Sequence, residues 1–129
     1  MKPHVSPYCA YCGNELEKID HLFYHCNVVK QFWRDLSDFM WDASVYIPID
    51  IKKILFGINA EEPDSIANYI ILTGKYYIWC NKFREPMAQL SIQVFKNILS
   101  KRIRELEGVA ELLKNNDIIE KWSTIRLML

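Results

Sequence analysis

Four residues near the amino terminus, Cys9, Cys12, His21 and Cys26, have the type and spacing to hold a metal ion. They stand as Cys-x2-Cys-x8-His-x4-Cys within the stretch CAYCGNELEKIDHLFYHC. Three thiols and an imidazole are the ligand number and chemistry of a closed tetrahedral zinc site, which leaves no position for water or substrate, so one structural ion is expected. Two cysteines separated by two residues turn both sulfurs toward one ion, and Gly13 beside them supplies the left-handed backbone that such a turn needs. A redox dithiol is the competing use of Cys-x2-Cys. It stands at a strand-to-helix junction, however, and has no use for a histidine and a third cysteine at ligand spacing. The fourth ligand has a rival, because His25 lies four residues after His21 and would share its face of a helix, giving a two-cysteine, two-histidine set. Cys26 is favoured, since a thiol that close to zinc ionises and binds.

Such a site needs a loop on one side and a helix on the other. Asp20 is placed to cap a short helix starting at His21, with Cys26 about a turn and a half further on. Next, Val29, Phe32, Trp33, Leu36, Phe39, Met40 and Ala43 recur at three-and-four spacing, while Lys30, Gln31, Arg34, Asp35 and Asp38 fill the opposite side. That pattern predicts an amphipathic helix leaving the last ligand and packing the knuckle onto the remainder of the chain. Phe32 and Trp33 then have two possible uses, as core anchors or as a platform for stacking bases, and the spacing already accounts for burial.

The rest reads as further helices. Residues 46–50 with Pro48 form a connector, after which Asp50 caps a short helix over 51–56 that stops at Gly57. Glu61, Glu62, Pro63 and Asp64 make a helix start, with proline in the first turn and acids where the helix dipole favours them. From Ser65 to Arg84 the sequence is apolar almost all round, apart from a narrow stripe of Asn68, Lys75 and Lys82, so this helix is expected in the middle of a bundle with Cys80 an inert core thiol. Pro86 closes it. A following helix over 88–106 buries Ile92, Phe95, Leu99, Ile103 and Leu106, with Gly108 a possible break. Asn115-Asn116 is a turn, and Asp117 with Glu120 forms a capping box for a last helix burying Ile118, Trp122 and Ile125. The expected fold is all-α, a small helical bundle with an N-terminal CCHC zinc knuckle. It is read as one domain, 1–129, with the knuckle in 1–26 and the bundle in 27–129.

These residues carry a family likeness. Cys-x2-Cys, then His21-Leu22-Phe23-x2-Cys26, then Phe32-Trp33, resembles the zinc-binding domain C-terminal to the reverse transcriptase of LINE-type (non-LTR) retrotransposons. Ile54-Leu55-Phe56-Gly57, the run Asn68 to Leu72, Lys75-Tyr76-Tyr77-Ile78 and Lys121-Trp122-Ser123 look like the tails of such proteins in animals. The likeness is tightest up to Trp33 and looser after it. The eight residues between Cys12 and His21 are too many for the shorter retroviral knuckle, where four separate the second cysteine from the histidine. The resemblance implies a role in gripping template RNA or target DNA during target-primed reverse transcription, beside an upstream polymerase domain of the same polyprotein.

Composition narrows the function classes. The chain has 129 residues, half of them hydrophobic and 13% aromatic, which suffices for a core. No apolar run reaches the roughly 20 residues of a membrane span, and the amino terminus lacks a signal-peptide core. The segment 1–8, with Pro3 and Pro7, is expected to be extended, and His4 within it to be a solvated side chain. Cysteines committed to a metal imply a reducing compartment, cytoplasmic or nuclear. The sequence shows no polymerase aspartate pair, nucleophile elbow or phosphate loop, and no small-molecule substrate is indicated. Overall charge is zero, yet residues 75–104 carry seven Lys or Arg against one acid, while residues 1–62 carry six against nine. On the helix over 88–106 the polar side presents Gln93, Lys96, Asn97, Ser100, Lys101 and Arg104. Lys96, Lys101 and Arg104 are the candidate phosphate contacts for RNA or DNA. The other reading of the same surface is a structural or protein-interaction module that docks on the polymerase.

Overall fold

The computed structural model describes residues 7–57, 65–112, 125 and 129. Among them the fold is helical, and the only extended pairing is an isolated antiparallel bridge between Tyr8 and Leu16 that closes the base of the knuckle. A π-turn over His21–His25 leads directly into α1 (Asn27–Asp42). It is followed by α2 (Ile51–Phe56), α3 (Ser65–Lys82) and α4 (Ile92–Leu112).

The helix α1 buries Val29, Phe32, Trp33, Leu36 and Met40, the stripe its periodicity predicts, with Phe39 half-buried at its margin. Phe32 and Trp33 are core anchors and not a stacking platform. Phe32 packs edge-on against Tyr77 and Phe95, its ring centroid 5.5 and 5.4 Å from theirs, so one side chain joins α1, α3 and α4. Trp33 is fully buried and donates its indole N–H to the Phe23 carbonyl at 2.8 Å, tying α1 back to the π-turn. Where α1 meets α3, the Trp33 ring rests on Gly74, and a Cβ built there would lie 2.8 Å from Trp33 Cη2. Only glycine allows this approach.

Asp50 caps α2 as expected, its carboxylate accepting from Lys52 N–H at 2.8 Å and Lys53 N–H at 3.4 Å, and the helix stops at Gly57 with φ 87°. In α4, Phe95, Leu99 and Ile103 are fully buried and Ile92 is half-buried. This helix starts at Ile92 and not at 88, because residues 88–91 are not helical and the Ser91 hydroxyl accepts from Val94 N–H at 3.3 Å. Gly108 does not break it, since the helix continues to Leu112. The expected helix start at 61–64, the turn at 115–116 and the capping box at 117–120 lie outside the described residues. Ile125 is buried as expected.

The expectation for α3 is corrected. One side, with Ala67, Ile70, Ile71, Tyr77 and Ile78, is buried, but Leu72, Tyr76, Trp79 and Cys80 on the opposite side are exposed, as is Phe83 just past the helix end. Cys80 is therefore not a core thiol. The basic members of its narrow polar stripe point instead to partners. Lys75 Nζ donates to the Leu55 carbonyl at 3.2 Å, at the C-terminal end of α2 where a helix dipole attracts a cation. Lys82 pairs with Glu17 of the knuckle. A nearly uniform apolar composition thus concealed one helix face turned inward and one turned out. No helix is long and apolar enough to cross a membrane among the described residues.

Candidate metal centre

The knuckle is built by a short set of backbone bonds. Cys9 N–H donates to the Glu15 carbonyl at 2.8 Å and Gly13 N–H to the Cys9 carbonyl at 2.9 Å, which folds residues 9–15 into a tight loop. Gly13 sits at φ 69°, the left-handed backbone expected of it. The loop brings Cys9 and Cys12 beside the π-turn.

The π-turn decides how the other two donors arrive. Cys26 N–H donates to the His21 carbonyl at 2.9 Å, a five-residue step in place of the four of an α-helix. Cys26 then takes an extended conformation, ψ 129°, as the residue before α1, and its carbonyl accepts from Lys30 N–H at 2.8 Å. The widened turn carries the chain from His21 to Cys26 so that both meet the loop. Such single π-turns recur at functional sites. Asp20 is not the cap of this element, because its backbone is already helical and its side chain accepts no capping bond. Its carboxylate lies 3.9 Å from His25 Nε2 instead.

One ligand atom from each of Cys9, Cys12, His21 and Cys26 lies within 4.8 Å of the others. A tetrahedral zinc with bonds of about 2.0–2.3 Å places its ligand atoms roughly 3.5–3.8 Å apart, so the donor set fits that ion with shifts of under about 1 Å. Cys12 Sγ and His21 Nε2 are 3.3 Å apart, which makes Nε2 the histidine donor. Cys9 and Cys26 are buried while Cys12 and His21 are half-buried, so the centre has an inner wall and an outer rim. His25 is half-exposed, turned to Asp20, and absent from the cluster.

The environment of the thiols is uneven. The backbone N–H of Asn14, joined by that of Glu15, favours the Cys12 thiolate and draws it from 9.0 down to about 6, against the effect of desolvation. Burial pushes Cys26 the other way, to about 11, opposed by the N–H groups of Val29 and Val28 at the start of α1. A divalent cation would offset the cost of an ionised Cys26, since a coordinating thiol is deprotonated by the metal's own charge.

The structure also shows residues that spacing did not single out. Tyr11, between the first two cysteines, donates its hydroxyl to the Ile78 carbonyl at 2.6 Å and accepts from Asn81 Nδ2 at 3.4 Å. Burial raises its phenol to about 12, so it remains a neutral donor. Glu17 completes the attachment by accepting from Ala10 N–H at 3.0 Å while pairing with Lys82. The knuckle is thereby fastened to the end of α3 by Tyr11 and Glu17. The one available signal for this was a large aromatic between two ligands, where only a small loop residue is required. Of the candidate phosphate contacts, Lys101 and Arg104 are exposed on α4, whereas Lys96 is half-buried with Nζ 4.1 Å from the Phe39 ring centroid. His4 lies outside the described residues.

Residues 1–33 match a family model described as zinc-binding in reverse transcriptase. The match takes in all four donors, the π-turn and the Phe32-Trp33 pair, so the amino-terminal part of the chain is similar to the zinc-binding segment of reverse transcriptase-related proteins. No curated protein and no solved structure matches the chain.

Proposed function

We propose that Cys9, Cys12, His21 and Cys26 hold one structural zinc, and that the chain is a nucleic-acid-binding module of a LINE-type (non-LTR) retrotransposon protein. In this reading it grips template RNA or target DNA during target-primed reverse transcription, next to a polymerase domain that supplies the chemistry. The observation that carries the proposal is the four-donor cluster, whose ligand atoms lie within 4.8 Å of one another, in a segment of the reverse-transcriptase zinc-binding kind. The nucleic-acid part is supported by the concentration of seven Lys or Arg against one acid in residues 75–104, and by the exposure of Lys101 and Arg104 on α4.

Two measurements test it together. Metal analysis of the folded protein should return one zinc per chain, and a folded, metal-free sample would overturn the zinc assignment. Binding to single-stranded RNA, duplex DNA and a nicked junction should weaken linearly in log salt, because phosphate contacts release counterions. Replacing Lys96, Lys101 and Arg104 together by glutamine retains helix propensity, so the fold should survive. The salt slope should become shallower by up to about 2–3 units, at about 0.7–0.9 per phosphate contact. Unchanged binding by this variant at every salt concentration would remove α4 from the interface.

A further inference from the structure

We propose that the exposed aromatic face of α3 is a stacking surface for single-stranded nucleic acid, with Arg102 of α4 as a phosphate contact at its edge. This inference rests on the nucleic-acid reading above and deepens it by naming the ligand form and the residues that take the bases.

The face is formed by Leu72, Tyr76, Trp79 and Phe83, spaced three and four residues apart, which puts them on one side of the helix line. They are 61, 53, 47 and 57% exposed, diametrically opposite the side that packs on α1 and α4. Leu72, Tyr76 and Trp79 line a groove of about 810 Å³, walled by Ile19 and Phe23 from the knuckle and by Leu55 and Phe56 from α2, with Phe83 beyond its end. Phe23 lies 6.4 Å from Trp79, centroid to centroid, with the two rings inclined by only 29°. Contiguous exposed apolar surface of this kind marks a binding site.

Charge and ring chemistry select the occupant. Among the described residues, the charged ones lining the groove are Lys75 and Arg102, with no carboxylate. Lys75 is committed to the Leu55 carbonyl. Arg102 instead stands over Tyr76, its guanidinium carbon 4.7 Å from the ring centroid. Its five N–H donors allow it to stack on the ring and still meet a phosphate. Lys82 lies 4.7 and 4.9 Å from the Trp79 and Phe83 ring centroids and is neutralised by Glu17, so it braces the rings without competing for the ligand. Exposed rings with the Arg102 guanidinium at their edge suit a ligand with planar apolar faces and a negative backbone, which single-stranded RNA or DNA provides. Trp79 and Phe83 meet edge to face, with centroids 5.0 Å apart and planes inclined by 73°, so they form one joint platform. An unpaired base can stack on this platform, and a duplex, whose bases are already stacked on one another, does not use it.

The test uses the full zinc-loaded chain and three variants, Tyr76→Leu, Trp79→Leu and Trp79→Phe, titrated with a twelve-residue oligouridylate, a single-stranded oligothymidylate and a DNA duplex. Leucine keeps the apolar area and removes the ring face, while phenylalanine keeps a ring. Each leucine variant should bind both single strands about tenfold or more weakly, whereas Trp79→Phe stays close to the parent. The salt slope should not change, because no phosphate contact is removed, and duplex affinity should hold. Parent-like binding of single strands by both leucine variants would overturn the proposal, leave the nucleic-acid reading standing, and assign the groove to a protein segment anchored by aliphatic contact. A parent chain that binds none of the three probes even at low salt would overturn both.

Discussion

Cys26 concentrates the chemistry of the knuckle in one side chain. It is fully buried, it ends the π-turn, and it is the residue from which α1 starts, so burial keeps its thiol protonated at neutral pH until a cation offsets that burial. Cys26→Ser should therefore lose the metal, whereas His25→Ala, which removes a half-exposed ring facing Asp20, should retain one equivalent; the opposite pair of results would move the ligand to His25. The two shifted thiols also set a pH dependence. Cys12, lowered to about 6, stabilises the metal-free fold above its ordinary 9.0, and this contribution is lost as pH falls through 6. Cys26, raised to about 11, stabilises the metal-free fold below 9.0, and that contribution is lost as pH rises through 11. Zinc binding should accordingly displace thiol protons at neutral pH, that of Cys26 among them, and the Cys12 proton as well once pH drops below about 6. Affinity measured by chelator competition should fall with acidity from pH 8 to 6 and more steeply below. A flat profile between pH 6 and 8 would exclude a thiol-to-thiolate step at Cys26.

Among the elements, α1 and α3 meet closely where Trp33 lies on Gly74. Gly74→Ala gains up to about 1 kcal/mol in helix propensity. The new methyl, however, would sit 2.8–2.9 Å from Trp33 Cη2 and Cζ3. Trp33 cannot yield, being fully buried and hydrogen-bonded to Phe23, and overpacking of a core typically costs about 1–3 kcal/mol. The clash outweighs the gain, so denaturant unfolding should show Gly74→Ala less stable by up to about 2 kcal/mol, while a gain in stability would mean that the helices can part without loss. Much at this scale was legible in the sequence. The face of α1 followed from the spacing of Val29, Phe32, Trp33, Leu36 and Met40, and α2 from Asp50 and Gly57, because periodicity and caps act within a few residues of where they are read. The π-turn was not legible, since nothing in His21–His25 distinguishes a five-residue step from a four-residue one. Nor was the orientation of α3, whose inner and outer faces are equally apolar. Which face turns outward is decided by Gly74 accepting Trp33 and by Lys75 and Lys82 finding partners on other elements, and these are long-range facts.

At the scale of the whole molecule the knuckle and the helices form one packed system. Cys9, Leu22 and Cys26 belong to the same buried cluster as Trp33, Phe95 and Ile103. The knuckle also supplies Tyr11 and Glu17 to the end of α3 and Phe23 to the wall of the groove. Loss of the metal must therefore be felt beyond the site. A ligand present at about 100 times its dissociation constant stabilises the native state by roughly 2.7 kcal/mol. For a domain of this size each kcal/mol moves the melting temperature by about 3–5 °C. Chelation should thus lower the melting temperature by about 10 °C or more, and Phe23 should leave Trp79 as the knuckle loosens, increasing the binding of an apolar dye. Readdition of zinc should reverse both changes. A melting temperature insensitive to chelation, in protein shown to have lost its metal, would mean that the hydrogen bonds of Tyr11 and the Glu17–Lys82 pair hold the knuckle unaided.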